Sequence, residues 1–171
     1  SENNFDNICN EHLEFYSLFS LENLLKRHGL KVVDMELNDV NGGSYRVYIV
    51  NDKNESLKLL KGAQWRVKTY RSFESLLKLN KKQTYDEFAA RCEMLKKQCV
   101  EFVKNEVSKG KTVYVYGAST KGNTILQYYG LDSKIVKAAA ERNPDKWGKK
   151  TVGTLIPIIS EEQMRKEKPD Y

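Results

Sequence analysis

Thr112–Tyr129 reads TVYVYGASTKGNTILQYY, and this stretch decides the fold. Thr112–Tyr116 is a short β-branched and aromatic run, the composition of a strand. It enters the turn Gly117-Ala-Ser-Thr-Lys-Gly122 and continues as a helix over Asn123–Tyr129, stopped at Gly130. Strand, glycine-rich turn and helix in that order are the building unit of a parallel α/β sheet. Downstream, Ile135–Ala140 reads as a second strand, followed by Glu141-Arg142-Asn143-Pro144 and a basic loop over 145–153. Thr154–Ile159 is a third strand, and Pro157 marks it as an edge or irregular one. Ser160 followed by Glu161, Glu162 and Gln163 starts another helix. The alternation predicts an α/β fold, a Rossmann-like parallel sheet with flanking helices and right-handed crossovers. A helix ending near Pro169 should feed a further strand, so the sheet is expected to be truncated at its last strand, Tyr171 being the final residue.

Upstream, Phe88, Cys92, Leu95, Cys99 and Phe102 alternate spacings of four and three, which predicts one long amphipathic helix from Thr84 to Ser108 with both cysteines on its buried stripe. Residues 52–83 are polar and mixed and read as a connector with weak helical signals. LKVVDMELNDV (30–40) and SYRVYIVN (44–51) flank Asn41-Gly42-Gly43, the pattern of a β-hairpin. Before it, SLFSLENLLKRHG (17–29) predicts a short helix with Ser20 as N-cap and Gly29 as stop. A lone hairpin is marginal in water and needs a sheet to join. Both ends therefore read as cut, and the chain is expected to be part of a longer protein.

The chain has 171 residues, 40% hydrophobic and 30% charged, which excludes disorder and suits one globular domain or one domain plus a piece of another. Mean hydropathy is −0.65, and no apolar run approaches the roughly 20 residues that span a bilayer. The start, SENNFDN, has no secretory pattern. Three cysteines, an odd count, read as reduced thiols. The expected location is the cytoplasm, with no membrane partner. Net charge is +6, but 29 Lys and Arg are interleaved with 23 Asp and Glu, so the basic balance reads as a solvated surface with no nucleic-acid partner.

Three places hold candidate chemistry. In the turn Gly117–Gly122, backbone N–H groups at a helix start can approach an anion, Lys121 adds a full charge, and Ser119, Thr120 and Thr124 offer hydroxyls. Asn123 stands where a Walker motif needs lysine, which argues against ATP hydrolysis. Ser119 stands where a dinucleotide motif needs its second glycine, yet Glu141, 19 residues past Gly122, is spaced like a ribose-binding acid, so NAD(P) binding stays open beside a plain capping turn. Arg142 and Asn143, with Lys146, Lys149 and Lys150, sit at the carboxyl end of the second strand, where open α/β sheets bind ligands. Glu11-His12 places a carboxylate beside an imidazole, the pair for a general base or a solvated surface pair. Cys9 and His12 have no second ligand pair for a metal.

FDNICNEHLEFYS (5–17), NGGSYRV (41–47), VYGASTKGNT (115–124) and ERNP (141–144), in this order, resemble the sugar-nucleotide C-methyltransferases, which use S-adenosylmethionine in deoxysugar biosynthesis. The resemblance implies that residues 1–51 are the tail of a class I methyltransferase domain, a helix plus β-hairpin, that 52–83 connect, and that 84–171 form a C-terminal Rossmann-like domain helping to hold a nucleotide-diphosphate sugar. It also implies a zinc module and a cofactor core elsewhere in the same polypeptide. This chain by itself is then expected to be inactive and to lack the S-adenosylmethionine site. The family's catalytic Tyr-His-Glu-His corresponds to Cys9-Asn10-Glu11-His12, so the resemblance implies His12 as the base beside Glu11, with no role carried over for Cys9. The other readings are a standalone nucleotide-binding Rossmann-type module and part of an NAD(P)-dependent oxidoreductase.

Overall fold

A computed structural model describes residues 5–9, 11–40 and 43–171. The chain divides into two compact units, one of Glu14–Glu87 and one of Phe88–Tyr171 together with the residues up to Leu13.

The first unit holds α1 (Leu18–Lys26), β1 (Leu30–Asn38), β2 (Ser44–Asn51) and α2 (Ala63–Leu76). The N-cap of α1 is Ser17, not Ser20: Ser17 accepts from the Ser20 amide, and Ser20 reciprocates as the third helical residue, a capping box that a single-residue reading places one turn late. β1 and β2 pair antiparallel from Leu30↔Asn51 to Asn38↔Ser44. The expected Asn41–Gly42 turn lies outside the described residues. A bulge between Val32 and Asp34 resets the alternation, so Val32 and Met35 enter one core with Leu18, Leu25 and Val67. The segment read as a connector contains α2. Only Ala63 and Val67 of this helix are buried, too few to show a periodic stripe. Polar residues tie it down instead. Arg66 grips buried Asp34 with two bonds of 2.7 and 2.5 Å, and Glu74 accepts from the Leu18 and Phe19 amides at the start of α1.

The long helix α3 runs from Lys82 to Ser108. Its buried face is rotated from the expected stripe. Cys92, Val103 and Glu106 are buried and Val100 and Val107 pack on the core, whereas Leu95, Cys99 and Phe102 are exposed. Spacings of 3.6 leave two apolar stripes on this helix, and the β-branched one faces the sheet.

The second unit continues with β3 (Tyr114–Tyr116), α4 (Thr120–Tyr129), β4 (Ala138–Glu141), β5 (Ile158–Ser160) and α5 (Glu161–Glu167). The sheet is parallel in the order β3-β4-β5, registered Tyr114↔Ala138 and Ala139↔Ile158. The core sits beneath it: Val103, Val113, Leu126, Leu131, Val136, Ala139, Ile156 and Ile158. This is the α/β Rossmann-like class, with strands shorter and later than expected. Ile135 and Val136 sit in a turn on the Asp132 carbonyl. Thr154–Pro157 is not strand because buried Thr151 and Thr154 join hydroxyls at 2.7 Å and Thr151 caps the Ile156 amide, building a turn that inserts Ile156 into the core. At the chain end, the Tyr171 amide donates to Thr112 O and its carbonyl accepts from Tyr114 N, alongside β3. Asp170 accepts from the Thr112 amide and Lys111, which hold its carboxyl down at about 2.

Candidate functional site

Gly117 follows β3 with φ +94°, a conformation natural to glycine, and a Cβ built there would meet open space. The bend is thus open on that side. Ser119 then adopts extended backbone and caps α4, accepting from the Gly122 amide at 3.0 Å, so the helix starts at Thr120, three residues before the expected Asn123.

The bend's amides divide into two sets. Gly117 N donates to Ala140 O at 2.7 Å and Ala118 N to Glu141 Oε2 at 2.9 Å. The amides of Ser119, Thr120 and Lys121 donate to no group among the described residues. Ser119 and Thr120 are exposed and Lys121 is half-buried beside them. In the same first turn, Asn123 Oδ1 is buried without a partner among the described residues. Thr124 Oγ1 donates back to Thr120 O. A helix start with free N–H groups, a lysine and an unmatched acceptor can take an anion carrying an O–H or N–H donor.

Glu141 closes the inner side of the bend. Its Oε1 accepts from the Arg142 and Asn143 amides and its Oε2 from Ala118 N and from Lys146 Nζ at 3.4 Å. These backbone donors hold the carboxyl at about 2. Four donors fill the acceptor capacity of a carboxylate. A ribose hydroxyl would have to displace one of them, so the spacing that marked Glu141 finds the right place and a structural use for it. Lys146 also donates to Ala118 O at 2.9 Å. Asn143 Oδ1 caps Asp145 N. Arg142 remains 79% exposed while its Nε donates to Glu161 Oε1 at 2.7 Å and its Nη2 reaches Tyr116 OH at 3.1 Å. Tyr116 and Arg142 together lower the Glu161 carboxyl pKa. Lys146, expected in the basic loop at this rim, is joined here by Tyr116 and Glu161, which the sequence reading did not single out. The available signal was their position at the carboxyl ends of the three strands.

Glu11 and His12 are exposed and belong to the same unit as the bend. Phe5–Asn7 form a 3-10 turn against α4, and Asn7 O lies 2.7 Å from His12 Nδ1. Asn10 lies outside the described residues. A groove of about 380 Å³, lined by Phe5, Ile8, Phe88, Cys92, Thr124 and Tyr128, runs between this segment and α4. Burial there pushes the Cys92 thiol up. Among the described residues no three His, Cys, Asp or Glu side chains cluster to hold a metal, and no helix is long and apolar enough to cross a membrane.

A parallel α/β unit with an open glycine turn leading into a helix defines a domain of Rossmann-like class. More particularly, the profile of the C-methyltransferase C-terminal domain matches residues 39–171, and the chain belongs to that family. It is 37% identical over 169 residues to the C-methyltransferase NovU of Streptomyces niveus, an alignment covering 99% of this chain and 39% of that protein. The chain thus spans 39% of the length of this curated relative.

Proposed function

We propose that this chain is the sugar-nucleotide-holding part of a deoxysugar C-methyltransferase, and that the diphosphate of its substrate rests on the start of α4. The observation that carries the reading is the set of amides at Ser119, Thr120 and Lys121, donating to nothing among the described residues at an open glycine bend. Arg142 and Asn143 line the approach from β4, and Asn123 Oδ1 accepts from a donor on the ligand. In this reading the helix and hairpin within residues 1–51 are the tail of the methyltransferase domain and residues from 84 onward the C-terminal domain.

S-adenosylmethionine supplies the methyl group from a sulfonium. Among the described residues no feature fits that cofactor: the hairpin unit shows no strand–glycine turn–helix crevice, and Glu141 is taken up by three backbone amides and Lys146. In this reading the cofactor binds the remainder of the polypeptide, and the chain alone neither binds it nor turns over. What the chain contributes is the base. His12 removes the proton from the carbon beside the sugar's keto group, and Glu11 stabilises the imidazolium that results. Holding the sugar by its diphosphate fixes that carbon against the base. The partner is a nucleotide-diphosphate sugar, and the setting is the cytoplasm.

The test is a titration of the chain with uridine and thymidine diphosphates, followed by amide NMR. Ser119, Thr120 and Lys121 amides should shift together, and Lys121→Ala should weaken binding roughly tenfold, the loss of one charge-assisted bond. Binding that leaves these amides unmoved, or none at millimolar ligand, refutes the diphosphate seat.

A further inference from the structure

We propose that Phe5 is a positioning residue for His12, fixing the tautomer in which Nε2 carries the lone pair. Phe5 stands edge-on to Tyr128, with ring centroids 5.7 Å apart at 69°, and stacks on Tyr129 at 6.1 Å and 29°. Tyr128 and Tyr129 are themselves in contact at 5.8 Å, and Lys96 Nζ lies 4.3 Å above the Tyr128 ring. Aromatic pairs in these arrangements are directional, so the ring sets where the backbone following Phe5 must run.

From Phe5 the chain is held by consecutive short bonds. Ile8 N donates to Phe5 O, Cys9 N to Asn7 O and His12 N to Cys9 O, each at 3.0 Å. The Asn7 carbonyl produced by this turn lies 2.7 Å from His12 Nδ1. A carbonyl oxygen only accepts, so Nδ1 must carry the hydrogen. In the neutral ring the second nitrogen, Nε2, is then the basic one, since the bond made by one ring nitrogen sets the protonation of the other. The chain of causes runs from an aromatic clamp on α4, through the Asn7 carbonyl, to the basicity of one atom five residues further on.

Two consequences follow. The base travels with the unit that carries the α4 bend, because the clamp and the bend share one helix. Tautomer choice falls to the backbone carbonyl of Asn7, which cannot be titrated away.

The significance of Nε2 for catalysis rests on His12 being the base, but the tautomer is read without turnover, so failure of one does not entail failure of the other. The chain holds two histidines, His12 and His28, which His28→Gln tells apart. Two-bond proton–nitrogen correlation spectra of the whole chain at alkaline pH should show His12 in the Nδ1–H pattern. Phe5→Ala should lose that pattern while His28 stays unchanged and the Trp147 emission stays native. Phe5→Tyr, which keeps the ring, should retain it. An Nε2–H pattern for His12 in the unaltered chain overturns the proposal by itself, without any variant. So does a folded Phe5→Ala chain that keeps the Nδ1–H pattern.

Discussion

Replacing Glu141 by Gln isolates the contact that shapes the bend. The change keeps the volume and one carbonyl oxygen, which still accepts from the exposed Arg142 and Asn143 amides. The new NH2 group, however, meets two donors head-on: the Ala118 amide, previously 2.9 Å from Oε2, and Lys146 Nζ, previously at 3.4 Å. Lys146 is 40% exposed in its side chain and turns to water at little cost. Ala118 is only 7% exposed, so its N–H has no ready substitute. One buried unsatisfied donor costs about 1–3 kcal/mol. Taking about 2 kcal/mol, a unit of roughly 100 residues should lose about 8–16 °C in melting temperature at neutral pH.

The assay is thermal unfolding followed by Trp147 in a Trp65→Phe background. Trp147 Nε1 donates to Glu141 O at 2.7 Å, so its emission reports on this unit alone. The pH dependence adds an independent check. The Glu141 carboxyl is lowered in the folded state from 4.5 to about 2. Its contribution is therefore complete above the ordinary glutamate range and is lost as pH falls from 4.5 through about 2. The gap between native and variant chains should close over that interval. Equal melting at neutral pH, or a gap that persists undiminished in acid, refutes the account of Glu141 as the tie between β3 and β4.

Ile156→Ala should open a cavity under the sheet, since Ile156 is fully buried, and cost about 2–5 kcal/mol. Trp147 should report the loss and Trp65, in the other unit, should not. Arg66→Met should lower the melting temperature of the hairpin unit by stranding the Asp34 carboxylate, which Arg66 holds below its usual range. Adding Asp34→Leu should recover much of that loss, because an apolar pair costs less than an orphaned buried charge. Paired circular dichroism melts of the single and double variants decide it: a double variant less stable than the single contradicts the argument.

Local chemistry carried the sequence reading as far as local chemistry reaches. Gly117 declares its turn because a positive φ is a need of a single residue, whereas the Ser119 cap starts the helix three residues before the expected Asn123. The hairpin declares itself because its strands pair with their chain neighbours. α2 stayed hidden for the opposite reason. Two buried apolar residues leave no periodicity, and the bonds that hold it, Arg66 to Asp34 and Glu74 to the Leu18 amide, span 32 and 56 positions. On α3 the expected stripe and the buried one are neighbours on the same cylinder, and only the sheet chooses between them.

The site shows the same division at finer grain. Residue spacing placed Glu141 beside the glycine bend, and it is there. Its use depends on which donors surround it, and those come from the end of β3 and the loop after β4 together. A carboxylate at that position serves a ribose when its oxygens face the ligand and serves the fold when backbone amides take them first. Lys146, which reaches both Ala118 O and Glu141, would look like any lysine of a basic loop in a linear reading. The carboxyl ends of parallel strands bring such residues to one rim because every strand starts its crossover there. The proposed diphosphate seat therefore uses what the fold leaves unspent among the described residues: the amides of Ser119, Thr120 and Lys121, the Lys121 side chain and the acceptor of Asn123.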